Sequence, residues 1–178
     1  MKHSITVAIV IVLAVSTLLC NLDDDEEVTR VEGITEGFLA VDFTERDADG
    51  APFQLSSCSG QIILLVFGAM WSQPCQAQAP ALEDIFQTYR DQGFQVVAVM
   101  FESEQGVPAD REDLQAWADT YGVTFTLLND ADRSTVARYA VDDVPLNILI
   151  DRTFTIRVRD TGFDQQALTG WIEQLLAE

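Results

Sequence analysis

Residues 62–67 read Ile62-Ile63-Leu64-Leu65-Val66-Phe67, an unbroken apolar run that predicts a central strand buried on both faces. Leu82, Ile85, Phe86 and Tyr89 follow at i, i+3, i+4 and i+7, and Asp91-Gln92-Gly93 ends the pattern, which predicts an amphipathic helix. Residues 94–100, apolar except for Gln95, return as a strand. Strand, helix and strand in this order form a βαβ unit, whose strands are parallel and whose crossover is right-handed. The fold is therefore expected to be α/β.

The remaining elements extend that unit. Residues 38–43 and Phe53-Gln54-Leu55 flank Asp47-Ala48-Asp49-Gly50, which reads as an N-terminal β-hairpin with an Asp-Gly turn. Leu114, Trp117, Ala118 and Tyr121 repeat the helical spacing between Asp110, a candidate N-cap, and Gly122, a candidate C-cap. A short strand at 125–128 and a short helix at 132–141 come next. Residues 146–151 and 154–159 then form a hairpin, with Phe154, Ile156 and Val158 expected inward and Thr155, Arg157 and Arg159 outward. Leu168, Trp171, Ile172 and Leu175 give the last helix one apolar face, with Asp164 as its N-cap. Trp117 and Trp171 are core positions by this spacing. Parallel strands joined by helices, then an antiparallel hairpin and a closing helix, describe a mixed sheet flanked by helices.

The N-terminus bears on location. Met1-Lys2-His3 precedes an apolar stretch over 5–19, the pattern of an export signal over residues 1–19. Cys20 follows directly, so three fates are open: acylation of Cys20 as a lipoprotein, cleavage after Ala14-Val15-Ser16, or retention as an uncleaved anchor. All three place the following domain outside the cytoplasmic membrane, anchored in the bacterial cell envelope in the first and third cases. Residues 20–36 begin with Asp23-Asp24-Asp25-Glu26-Glu27 and lack apolar periodicity, which predicts a solvated, disordered acidic tether. Residues 37–178 are then one domain with room for a core.

Composition removes several function classes. Lys2 and His3 are the only lysine and histidine, so the segment after the signal carries nine arginines against 29 acidic residues. Such a surface repels nucleic acid and anionic lipid. Without histidine there is no Ser-His-Asp triad, no Cys-His pair and no His-ligated metal. No metal or cofactor is expected.

The strand-to-helix turn reads Phe67-Gly68-Ala69-Met70-Trp71-Ser72-Gln73-Pro74-Cys75, with Pro80 five residues beyond, and Val144-Pro145 precedes the strand Leu146-Asn147-Ile148-Leu149-Ile150-Asp151. Over 37–178 these motifs, in this order and spacing, resemble the thioredoxin superfamily, specifically the envelope thioredoxins of the TlpA-like and redoxin (AhpC/TSA-related) group. The resemblance implies a thioredoxin-like fold with an extra N-terminal hairpin. It also implies thiol–disulfide exchange with envelope proteins, a cis bond at Pro145, and a peptide-binding surface on Trp71, Pro74, Val144 and Pro145.

The resemblance departs where the chemistry should be. A complete motif has two cysteines, the first activated at a helix N-terminus and attacking, the second resolving. Ser72 occupies the first position and only Cys75 remains. Val66 and Gly68 also stand where the family carries a buried acid and an aromatic. Cys58 precedes the central strand and Cys75 follows it, so six to eight residues at about 3.3 Å each separate them by roughly 20 Å. That is far beyond disulfide reach, so both are expected to be free thiols. Three readings of the site stay open. Cys75 is an inert leftover, or it works as a single thiol three residues after a hydroxyl, or the domain is a silent module docking extended peptides. Trp71 is either a rim contact for such a peptide or a packing residue.

Overall fold

In the computed structural model, residues 31–178 are described. The segment expected to be an export signal, Cys20 and most of the stretch expected to be an acidic tether lie outside the described residues. The main sheet has seven strands in the order β4-β3-β7-β6-β5-β8-β9. Its strands are β3 (Thr44–Asp47), β4 (Pro52–Gln54), β5 (Ile62–Ala69), β6 (Phe94–Glu102), β7 (Thr126–Asn129), β8 (Leu146–Ile150) and β9 (Ile156–Thr161). A separate two-residue ladder pairs β1 (Glu32–Gly33) with β2 (Leu39–Ala40). The helices are α1 (Gln73–Tyr89), α2 (Arg111–Tyr121), α3 (Ser134–Arg138) and α4 (Gln165–Leu176). Among the described residues no helix is long and apolar enough to cross a membrane.

β5 is the axis of the molecule. All eight of its residues are buried, and it pairs in parallel with β6 on one side and antiparallel with β8 on the other. Its side chains alternate between two cores. Ile62, Leu64 and Val66 meet Leu82 and Ile85 of α1, Leu114 and Trp117 of α2, and Leu168 and Ile172 of α4. Ile63, Leu65 and Phe67 meet Phe43, Leu55 and, from the region of α3, Val136 and Tyr139. Each such aliphatic side chain contributes about 1.5–3 kcal/mol through its burial.

The helix ends follow the sequence. Asp110 caps α2 through a reciprocal capping box with Asp113, and Gly122 closes it at φ 66°. Asp164 accepts from the Ala167 amide at the start of α4. Pro80 lies inside α1, which runs on past it to Tyr89.

Several sequence expectations need correction. The N-terminal hairpin pairs 44–47 with 52–54, so its first strand starts beyond 38–43. Leu39–Ala40 instead pairs with Glu32–Gly33, and the Gly37 and Ala40 amides reach the Ile156 and Phe154 carbonyls at the start of β9. The boundary drawn at residue 36 therefore runs through a small hydrogen-bonded ladder. The hairpin itself is no appendage: Arg46 and Asp47 pair with Asn129 and Leu128, adding β3 and β4 to the edge of the sheet. The alternation expected over 154–159 is broken by a register shift, because Leu149 faces Val158 while Ile150 faces Ile156. Ile156 consequently packs in the α3-side core and Val158 against the opposite one, and Phe154 lies in the turn at φ 65°. Trp117 is core, 5% exposed, whereas Trp171 is only half-buried. The short helix is confined to 134–138.

Two features fasten the hairpin edge. Tyr139, fully buried, donates its hydroxyl to the Val41 carbonyl at 2.6 Å. On the hairpin, Glu45 accepts from the Thr135 hydroxyl at 2.6 Å, and buried Asp130 accepts from the Val136 amide through Oδ2 while its Oδ1 has no partner. Burial, foremost, pushes the Glu45 carboxyl pKa up, and the neighbouring Asp130 and Asp132 charges add to the rise against the Thr135 hydrogen bond. Burial likewise raises that of Asp130.

A raised folded-state pKa means that the folded protein holds protons the unfolded chain has released. The contribution is fully present below the unfolded value and is lost as pH rises through the folded one. Glu45→Gln keeps the Thr135 bond and removes this titration. In urea unfolding from acid to neutral pH, the variant should gain on the wild type as pH rises; an unchanging difference would show that Glu45 is not perturbed.

Candidate functional site

The site hangs from the C-terminal end of β5. After Ala69 the chain turns, with the Ser72 amide donating to the Ala69 carbonyl and the Gln76 side chain donating to the Met70 carbonyl at 2.7 Å. α1 then starts with Ser72 as N-cap residue, Pro74 in its first turn and Cys75 as its third residue. The Ser72 side chain makes no capping bond to the helix.

Cys75 is recessed. It is 5% exposed and belongs to the α1-side core. A narrow apolar cleft behind it is lined by Val66, Gly68, Ala79, Leu82, Met100 and Pro145 among others. A Cβ placed on Gly68 would lie 3.2 Å from Met100 Sδ and 3.4 Å from Cys75 Sγ, so the thioether of Met100 and the thiol fill the space that a larger residue at 68 would need. Burial pushes the thiol pKa of Cys75 up; hydrogen bonds at Ser72 and Ala69 pull the other way without reversing it, and the Asp143 charge adds to the rise. The thiolate, which is the nucleophile, is therefore disfavoured.

Cys58 ends a 3-10 turn over Leu55–Cys58 and packs against the other core. The two thiols lie on opposite sides of the sheet, and both are free. Among the described residues, no cluster of three or more His, Cys, Asp or Glu side chains is placed to hold a metal ion.

The structure brings the sequence-predicted site residues to one end of β5, on two flanks. On the β8 side, the register Phe67 with Leu146 sets Pro145 level with Gly68. The Val144–Pro145 bond is cis. Pro145 is buried and Val144 half-buried. The Val144 amide donates to Asp143 Oδ1 at 2.9 Å, and its carbonyl accepts no hydrogen bond among the described residues. On the β6 side, Trp71 is 49% exposed and donates its indole N–H to Glu102 Oε2 at 2.6 Å. The other Glu102 oxygen pairs with Arg133, whose guanidinium lies 4.7 Å from the centre of the Phe101 ring. Trp71 is thus a rim residue held from below, and Pro74 is exposed beside it.

A second set of residues escaped the sequence reading. Gln78 and Asn147, 2% and 6% exposed, exchange hydrogen bonds of 3.0 and 3.3 Å, and the Asn147 amide also donates to the Gly162 carbonyl at 2.7 Å. This buried amide pair joins α1, one turn past Cys75, to β8, two residues past Pro145. Its signal was present: Asn147 is the one polar residue in an apolar strand, and Gln78 falls on the apolar face of α1. Glu102 and Arg133 left no such signal, being 31 residues apart.

A model of the AhpC/TSA family matches residues 37–159. Among curated proteins, the thiol-disulfide oxidoreductase ResA of Oceanobacillus iheyensis is 26% identical over 142 residues, 80% of this chain and 70% of that one. The thioredoxin-like protein YneN of Bacillus subtilis is 34% identical over 125 residues, 70% and 71% of the two chains. A putative thiol:disulfide interchange protein DsbE from Chlorobium tepidum superposes with a TM-score of 0.72 at 28% identity, covering 81% of this chain and 99% of that one. A secreted Mycobacterium tuberculosis disulfide oxidoreductase gives 0.64 at 29% identity, over 75% and 96%. With the strand-to-helix motif, the cis-proline loop and the mixed sheet in place, the chain belongs to the AhpC/TSA family, as a TlpA-like member of the thioredoxin superfamily.

Proposed function

We propose that this is an exported thiol-redox protein of the thioredoxin family, tethered outside the cytoplasmic membrane by its N-terminal segment, which works by docking extended segments of envelope proteins and not by two-thiol exchange. The observation that carries the reading is the pairing of Ser72 with a recessed Cys75. A disulfide between positions 72 and 75 cannot form, and the remaining thiol is buried and held protonated. What persists is the recognition surface. Val144 offers a free carbonyl to which an extended backbone can add in the manner of a further strand, and Trp71 supplies an exposed aromatic wall. The thiol–disulfide oxidoreductases among the relatives support partners that carry thiols or disulfides.

A second reading, in which Cys75 works alone, is favoured by the Ser72 hydroxyl at its sulfur and by its place in the first turn of α1, where backbone N–H groups favour a thiolate. In that case a peroxide oxidises the thiol to a sulfenic acid, the peroxide being reduced to water or an alcohol. Labelling by a dimedone-type probe at Cys75 after peroxide treatment supports this reading; labelling confined to Cys58 removes it.

Two outcomes separate docking from exchange. The wild type should show no detectable reduction of insulin disulfides by dithiothreitol-coupled assay, and Ser72→Cys should gain measurable activity; strong wild-type turnover would contradict the proposal. In cells lacking the protein, Cys75→Ala should complement the loss while Pro145→Ala should not, and the reverse pattern would assign the function to the thiol. The Gln78–Asn147 pair should hold the two halves of the surface together, so Gln78→Ala should lower unfolding stability by about 1–3 kcal/mol, the cost of orphaning a buried amide, measured by urea denaturation.

A further inference from the structure

The docking surface has predominantly acidic walls. The loop that delivers Pro145 begins Asp142-Asp143, and both side chains are exposed. Asp160, exposed on β9 opposite Asn147, joins them around a cleft of about 230 Å³ whose apolar floor includes Ala140 and Leu146. Arg159 lines the same cleft, its Nη2 donating to the Tyr139 and Ala140 carbonyls at 2.9 and 3.1 Å, so three carboxylates face one guanidinium there. Asp143 also lies close enough to the motif turn for its charge to reach the Cys75 thiol.

The Trp71 flank repeats the pattern. Glu104 and Asp113 line a second cleft, of about 340 Å³, together with Met70 and Trp117. Arg133, behind Trp71, is paired with Glu102 and stacked on Phe101. Among the described residues Asp142, Asp143, Asp160, Glu104 and Asp113 make no salt bridge, and they outnumber Arg159, the one basic residue lining the two clefts. Opposite charge on a docked segment would be attracted from about a Debye length away, ~8 Å at physiological salt, and like charge excluded.

We propose that the segment docked between Trp71 and Val144 is cationic, an extended stretch with lysine or arginine on both sides of the residue that pairs with the Val144 carbonyl. This inference rests on the docking reading above. In an extended segment alternate side chains share one face, so the residue over Trp71 and Pro145 is uncharged while its neighbours reach Asp142, Asp143 and Asp160 on one side and Glu104 and Asp113 on the other.

The test is fluorescence anisotropy of the full chain with three labelled peptides of alternating threonine and lysine, threonine and glutamine, or threonine and glutamate. The lysine peptide should bind roughly tenfold more tightly than the glutamine peptide, a surface charge effect summed over several pairs, and the margin should shrink as salt is raised. The triple variant Asp142→Asn, Asp143→Asn, Asp160→Asn should lose most of the lysine-over-glutamine margin. Trp71→Ala should weaken all peptides. Equal affinity for lysine and glutamine peptides, or a glutamate preference, overturns the charge inference and leaves docking intact. Lysine binding unchanged by both Trp71→Ala and the triple variant assigns it to the general acidity of the chain and overturns the inference. Binding of no peptide at low salt overturns the docking reading and the inference with it.

Discussion

The double-edged pairing of β5 is the constraint on which the rest of the molecule depends. Hydrogen-bonded to β6 in parallel and to β8 antiparallel, and buried along its whole length, it leaves its C-terminal end as the one place where three chain segments must converge. The turn from β5 into α1 presents Trp71, Ser72 and Cys75 there. β8 delivers the cis-Pro145 loop from one side, and β6 delivers Glu102 from the other. The packing of a six-residue apolar run therefore decides which loops meet, and the loops decide the chemistry.

At that meeting point four residues act together. Ser72 puts a hydroxyl three residues before Cys75. Val66 makes the floor beneath Cys75 apolar, and Gly68 lets the Met100 thioether come up beside the Cys75 thiol. Gln78 and Asn147, buried near Cys75, satisfy each other as neutral amides and place no titrating group under the sulfur. Burial of Cys75 with no charge to stabilise its thiolate follows from all of these together. The outer surface, by contrast, has an exposed indole fixed by Glu102 and, at Val144, a carbonyl unpaired among the described residues.

Much of this was legible in the sequence. The βαβ unit and the caps at Asp110 and Asp164 rested on local patterns that tertiary packing reinforces, the free thiols on the length of the strand between them, and the cis-Pro145 loop on the family resemblance. Where the reading failed, long-range pairing decided. The first hairpin strand moved from 38–43 to 44–47 because Arg46 and Asp47 find partners on β7, whereas Phe38 to Ala40 is held by the start of β9. The expected alternation of Ile156 and Val158 failed at a one-residue register shift, which no periodicity count detects. Within the site, residue types were legible and orientations were not: the recessed thiol, the Glu102–Arg133 brace behind Trp71 and the Gln78–Asn147 bridge each join elements separated by 31 residues or more in the chain.

The central claim is that Cys75 is a protonated thiol beneath a surface built for docking. It is tested most directly by titrating that thiol in the Cys58→Ser variant, following thiolate absorbance against pH with the unfolded protein as reference. The account predicts a Cys75 pKa above that of the unfolded chain, with no thiolate at neutral pH. A pKa below the unfolded value, with thiolate present at pH 7, would contradict it and return Cys75 to the role of a reactive nucleophile.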